Sequence, residues 1–268
     1  MKRSRFIAPA RETLAPDVFS HPIFAAFACH RDLLATPHWP PLASLNARLT
    51  ESGLRFVPQD DALLRDGLHY ETRIHDRGLI ATRQHNWHDL FNALIWMEHA
   101  PIKRALNARQ VADITRLGPR TRSRAQCALT HFDEAGAVVW LDDVRLLAAW
   151  DAHDWRGWFG QHEAFAQSHI QIHLFGHALL EHMLHPDHLP TAKCLVLCGG
   201  DAQQWRASLA EAIADGHLLN DPQELRPLPL AGIPGWASDQ HVPDFFNGDA
   251  FRPLRPGRRY PAPWLMGA

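Results

Sequence analysis

Apolar and polar positions divide the chain into segments of different period. In DVFSHPIFAAFACHRDLLA the apolar residues at 23, 24, 27, 28, 33 and 34 predict a short amphipathic helix and a turn. Prolines in TPHWPPLASLNARL delay the next helix to about Leu42, and GLRFVPQ reads as a short extended piece. LHYETRIHDRGLIATRQ alternates residue types around Asp76-Arg77-Gly78, which predicts a β-hairpin. Asn86 is a good N-cap for a helix from Trp87 to about His99. Pro101 ends that helix or starts the next, IKRALNARQVADITRLG, which Gly118 closes.

The second half continues with AQCALTHFDEAGAVVWLDD, read as a second hairpin turning at Asp133-Glu134-Ala135-Gly136. Helical stretches follow at about 143–149 and 154–166. SHIQIHLFGHALLEHMLHP fits two patterns. As one helix it aligns His169, His173, His177, Glu181 and His185 at i,i+4; as a strand and then a helix it alternates Ile170, Ile172 and Leu174 with polar residues before Gly176. The β-branched alternation favours the strand. AKCLVL is a buried strand, and DAQQWRASLAEAIADGHLL an amphipathic helix stopped at Gly216. Beyond Asp221 proline-rich sequence carries Arg252, Arg255, Arg258 and Arg259, which predicts an arm laid over the body and a loose end past about Pro256. The fold class expected is α+β. A single domain, 1–268, would set helices around a small, mostly antiparallel sheet with hairpins, plus the Pro/Arg-rich C-terminal arm.

Composition changes this picture little. The chain has 268 residues, 46% hydrophobic and 21% charged, with a net charge of −2. That charge argues against a nucleic-acid partner, tempered by the arginine-rich end. No apolar run reaches the roughly 20 residues of a membrane span, and Pro9, Arg11 and Glu12 interrupt any export signal behind the basic start. The four cysteines form no CxxC pair and read as thiols in a reducing, cytoplasmic compartment. Nineteen histidines are many, but composition alone does not make a metal site.

The blocks YETRI, NWHDLFNALIW, LTHFDEAGAVV, FGHALLE, PLAGIPGW and FFNGDAFRPLR resemble the bacterial family DUF3025, over roughly residues 20–255. The family has no established activity, so the resemblance implies no mechanism. Where the family pattern has a histidine after ALNAR, this chain has Gln110.

Candidate chemistry clusters in RQHNWHDLFNALIW. His85, His88, Asp89 and Asn92 share a face if the segment is helical. Helix-start N–H groups there would favour an anion, with Arg73, Arg83 and Asn86 beside it. Read structurally, Asn86 caps, Asp89 satisfies the helix end, and the rest is a polar network. Glu71 and Arg73 would form an ion pair on one strand. FGHALLE places His177 at a helix start, suited to a base or metal ligand, with Glu181 one turn on. Asp133 and Glu134 read as solvated turn acids, or as Mg²⁺ or Mn²⁺ ligands if a histidine joins them. A hairpin followed by a helix also invites comparison with ββα-metal nucleases, with His75 or His85 on the strand. No GxSxG, Walker A or GxGxxG motif is present.

The expectation is a cytoplasmic, metal-assisted hydrolase of a small anionic or phosphate-bearing substrate. His88, Asp89, Asn92 and His177 would be catalytic, and Arg73, Arg83 and Asn86 would bind substrate. A divalent metal ion would sit on His88, Asp89 and Glu181. The competing expectation is a non-catalytic ligand- or partner-binding protein whose polar helix is structural.

Overall fold

Leu79–Thr82 runs straight into the turn that starts the longest helix, and this junction organises the N-terminal half. The computed structural model describes residues 6–185 and 189–267. The basic start at residues 1–5 lies outside them. Arg55–Pro58 (β1) and Leu79–Thr82 (β2) form a two-stranded parallel sheet. Between them lies a helix, Tyr70–Arg77 (α1), where a hairpin strand was expected. Its buried face is Tyr70, Arg73 and Ile74, at helical spacing; because only Ile74 is aliphatic, the period is masked in the sequence. Asp76-Arg77-Gly78 is thus a helix end, with Gly78 in the left-handed region at φ +65°. A Cβ at Gly78 would lie 1.8 Å from the Gly53 carbonyl oxygen.

Trp87–Leu117 (α2) opens where Asn86 Oδ1 accepts the Asp89 N–H at 3.0 Å. It buries Trp87, Leu90, Phe91, Leu94, Ile95 and Trp96. Its one non-helical residue is His99 (φ −135°, ψ 34°), two residues before Pro101, whose ring cannot pack over a regular preceding turn. The chain therefore kinks and continues as one element.

The second expected hairpin is likewise a helix and a strand. Arg124–Ala135 (α3) starts in a capping box between Ser123 and Gln126 and buries Ala128, Leu129 and Phe132. Asp133 and Glu134 are its last turn, and Gly136–Leu141 (β3), buried at all six positions, follows without a loop. Ile170–Leu174 (β4) pairs antiparallel with β3, and Thr191–Cys198 (β5) pairs parallel with it. On the far side of β5, Arg226–Pro229 (β6) covers the first half antiparallel and Trp264–Leu265 (β7) the second half parallel. The sheet is mixed, where mostly antiparallel strands with hairpins were expected. His177–His182 (α4) follows β4, and Trp205–Ala214 (α5) packs along α2.

The C-terminal end is pinned where a loose tail was expected. Arg226 donates to the Pro261 carbonyl at 2.6 Å, Tyr260 Oη lies 2.9 Å from His153 Nε2, and Met266 N–H bonds Cys198. The α+β class stands, with buried side chains from both halves in one continuous core. No helix among the described residues is long and apolar enough to cross a membrane.

Candidate metal centre

Two glycines bring distant helix ends together. Gly136 carbonyl accepts the N–H groups of Phe175 at 3.0 Å and Gly176 at 2.7 Å, just as the chain leaves β4. A Cβ on Gly176 would sit 2.4 Å from Gly136 nitrogen and 2.6 Å from Ala135 backbone carbon, so only glycine permits this approach. The last turn of α3 is thereby pressed against the first residue of α4. Both helices pack on α2. Glu134, His177 and His88 converge from three helices.

His177 Nε2 is 3.0 Å from His88 Nε2 and 3.5 Å from Glu134 Oε2, and His88 Nε2 is 3.9 Å from that oxygen. A point equidistant from these three atoms lies about 2.0 Å from each, the bond length zinc makes to imidazole nitrogen and carboxylate oxygen. The other ring nitrogen of His88, Nδ1, lies 3.0 Å from Glu181 Oε2. With its proton on Nδ1, His88 leaves the Nε2 lone pair free for an ion, the arrangement by which carboxylates orient metal-binding imidazoles. His177 Nδ1 is buried beside the Asp133 backbone without a well-formed hydrogen bond.

The electrostatics divide the two histidines. Burial pushes His177 down to about 3, against the opposing pull of Asp133, so it is a neutral imidazole. Burial also disfavours charge on His88, but Glu181 and Glu134 outweigh it and raise its pKa. Burial raises Glu134, and His88 offsets part of that rise.

The three atoms open onto a cleft of about 350 Å³ that also exposes Tyr70, Glu71, Arg83, Asn92 and Asp133. A hydrogen-bond chain runs through its wall. Buried Lys103 Nζ donates to Asp133 Oδ1 at 2.6 Å and to Asn92 Oδ1 at 2.9 Å; Asn92 Nδ2 donates to Tyr70 Oη at 3.1 Å. Each donor points from lysine toward tyrosine, which leaves the phenolic hydrogen for the cleft. Burial, with Glu71 and Asp133 nearby, raises the Tyr70 pKa and keeps it a donor. Desolvation would raise Asp133, but the Lys103 ammonium beside it holds it low, so it stays ionised. A larger groove of about 570 Å³ beside Leu14, Val18 and Leu184 carries no comparable convergence among the described residues.

The structure distributes the expected site residues over several environments. His88, Asp89, Asn92, His177 and Arg83 all line one cleft. Asp89 is taken up by Arg83: its Oδ2 accepts the Arg83 backbone N–H at 2.5 Å, and its carboxylate pairs with the guanidinium at 2.7 Å. Asn86 caps α2. Arg73 is buried on Asp66 and the Leu68 carbonyl, outside the cleft lining, and Glu71 bonds Asn107 instead of Arg73. Glu181 contacts His88 Nδ1, the nitrogen facing away from His177. His85 sits in a left-handed turn (φ +56°) and His75 pairs with exposed Asp76, so the hairpin frame of the nuclease comparison is absent. Glu134 meets two histidines, the condition on which the sequence offers it as a metal ligand, whereas Tyr70 and Lys103 are contributors that the sequence reading does not name. The available signal was a lysine interrupting the apolar run of α2.

The family model for DUF3025, a protein family of unknown function, matches residues 54–255. The chain belongs to this family. Comparison of this DUF3025 protein with curated proteins and with solved structures found no match. All three converging side chains, and the Tyr70–Asn92–Lys103 chain, fall inside the matched region.

Proposed function

We propose that this DUF3025 protein is a hydrolase dependent on one divalent metal ion, held by His88 Nε2, His177 Nε2 and Glu134. The observation that carries the reading is the donor triangle, whose size suits an ion bound at about 2.0 Å. Two nitrogens and one carboxylate oxygen favour zinc or a similar transition ion over magnesium. Three protein donors would leave room for a water, and an ion of this kind would supply the chemistry of lowering that water's pKa to about 7. Were an ion bound, Asp133, ionised and lining the cleft, would be the acceptor for the proton of its water. Tyr70 donates its phenolic hydrogen to the oxygen on which charge develops, strengthened by the lysine-polarised chain behind it. Arg83 is the cleft's half-exposed cation and supplies the attraction for an anionic substrate. The four free thiols favour a reducing, cytoplasmic setting.

A second reading rests on one distance. At 3.0 Å, the two Nε2 atoms equally fit an imidazolium donating to an imidazole, with His88 carrying the proton. That would make the cluster a metal-free structural network. Elemental mass spectrometry of the untagged protein and of His177→Ala separates the two. The metal reading expects an equivalent of ion that His177→Ala lacks, and hydrolysis of p-nitrophenyl acetate or p-nitrophenyl phosphate that chelator abolishes. Protein that binds none of Zn²⁺, Mn²⁺ and Mg²⁺ at this site would leave the structural network standing.

A further inference from the structure

Cys29, His30 and Glu98 bring a thiol, an imidazole and a carboxylate to one point, away from the cleft. Glu98 Oε1 lies 2.9 Å from His30 Nε2 and 3.5 Å from Cys29 Sγ, and the three atoms all fall within 4.8 Å of one another. Successive residues of a regular helix point about 100° apart and cannot share a partner in this way. The backbone supplies the exception. The 3₁₀ segment Pro22–His30 is broken at Phe27 (φ −108°, ψ 18°) and ends with His30 at φ −109°, ψ 12°. Both side chains thereby reach the same oxygen. Glu98 is in turn the residue before the α2 kink at His99.

We infer that Cys29, His30 and Glu98 form a second metal site, which takes a zinc-class divalent ion and clips the N-terminal segment to α2 beside its kink. The donor set carries the selection. Thiolate and imidazole favour zinc, cobalt or cadmium, whereas magnesium and calcium require oxygen donors. An ion here replaces the thiol proton, and the bonds to zinc, about 2.3 Å to sulfur and 2.0 Å to nitrogen or oxygen, fit separations of this order with small side-chain adjustments. The His30–Glu98 pair alone is the competing account, but it leaves the convergence of the neighbouring thiol on the same carboxylate oxygen without a role. The His30 side chain is 9% exposed and Glu98 27%, while Cys29 is exposed, so the ion reaches the site from solvent and retains room for water. Two of the three donors precede residue 54, where the family match begins. This site is therefore independent of the cleft reading.

Cobalt distinguishes the two sites, because only this one offers sulfur. Full-length untagged protein titrated with Co²⁺ should develop a near-ultraviolet sulfur-to-cobalt charge-transfer band. The band should persist in His177→Ala and vanish in Cys29→Ser and Glu98→Gln, both of which change partly exposed positions. Peptide-resolved alkylation by iodoacetamide gives the second readout. With free Zn²⁺ about a hundredfold above its Kd, Cys29 should react about a hundredfold more slowly. Folded protein that shows no sulfur band and an unchanged Cys29 alkylation rate overturns the inference. A band that survives Cys29→Ser overturns it as well. Either failure leaves the His88–His177–Glu134 reading untouched.

Discussion

Two histidine pairs link α2 to the segment around β4 and α4, each with one buried and one half-buried ring, and their neighbours differ in kind. His88 and His177 meet at carboxylates: Glu134 faces both Nε2 atoms and Glu181 holds the far side of His88. His99 and His173 meet aromatic rings. His173 stacks on Trp205 with ring centroids 4.6 Å apart, and His99 lies 5.6 Å from both Trp205 and Phe175. The only side-chain hydrogen bond to either ring, among the described residues, comes from Arg206 Nε to His99 Nδ1 at 3.3 Å. The acids at the first pair can compensate a cation. An arginine at the second repels one. Nineteen histidines therefore say little about metal, and the placement of a few carboxylates says much.

The largest disruption of this contrast should come from a residue that is neither histidine nor acid. Gly176→Ala places a methyl against the backbone of Gly136 and Ala135, so α4 has to move away from the end of α3. Overpacking of this kind costs about 1–3 kcal/mol, and a chain of this size loses roughly 2–4 °C in Tm per kcal/mol. The displaced pair is His177 and Glu134. Calorimetric titration with Zn²⁺ should show the loss of cleft binding together with a lower Tm, while circular dichroism reports a folded chain. Retained binding would mean that the glycine crossing does not position the donors.

Much of α2 is legible in the sequence, because Asn86 caps it and the apolar residues repeat with helical period. The alternation of Ile170, Ile172 and Leu174 likewise marks β4. What fails is the reading of polar faces. α1 is held by Arg73 on Asp66 and by Tyr70, so its inward face resembles strand alternation. At the end of α3, the letters of a tight turn, Asp-Glu-Ala-Gly, form a helix end and the first residue of a strand. Read as a turn acid, Glu134 is a ligand only if a histidine joins it, and the sequence names none. Its place opposite His177 depends on the contact of Gly136 with Gly176, forty positions later, which no local pattern encodes.

An intermediate effect is expected with pH; buried His177 adds to it in the same direction, and a variant at His173 isolates the aromatic share. Burial, reinforced by Arg206, lowers His99 to about 3 and His173 to about 4, below the ordinary 6.5. Between those values and 6.5 the unfolded chain binds protons that the folded chain refuses. Stability must then rise with pH across that window and fall as pH drops through it. Chelator-treated protein, free of any metal effect, should show its Tm falling as pH is lowered from about 6.5 toward 4. In His173→Gln that slope should be shallower. An unchanged slope would place the acid sensitivity elsewhere and erase the electrostatic half of the comparison.

The smallest effect should follow Arg83→Gln, which tests whether the cleft's cation serves the fold or the substrate. The Arg83 side chain is 51% exposed, and its partner Asp89 keeps the Arg83 backbone N–H and the Asp89 N–H still reaches Asn86. Asp89 is only 10% exposed but keeps its backbone N–H donor, so the loss should stay near the range of exposed pairs, about 0–1 kcal/mol, and Tm should fall by about 4 °C at most. Metal binding should be unchanged, because Arg83 touches none of the three donors. Hydrolysis should separate by charge: KM for p-nitrophenyl phosphate rises, kcat holds, and p-nitrophenyl acetate is unaffected. That split is the mark of a group that binds substrate and transition state equally. Equal losses on both substrates would instead assign Arg83 to holding Asp89 and the start of α2, and the anionic preference would have no residue left in the cleft to support it.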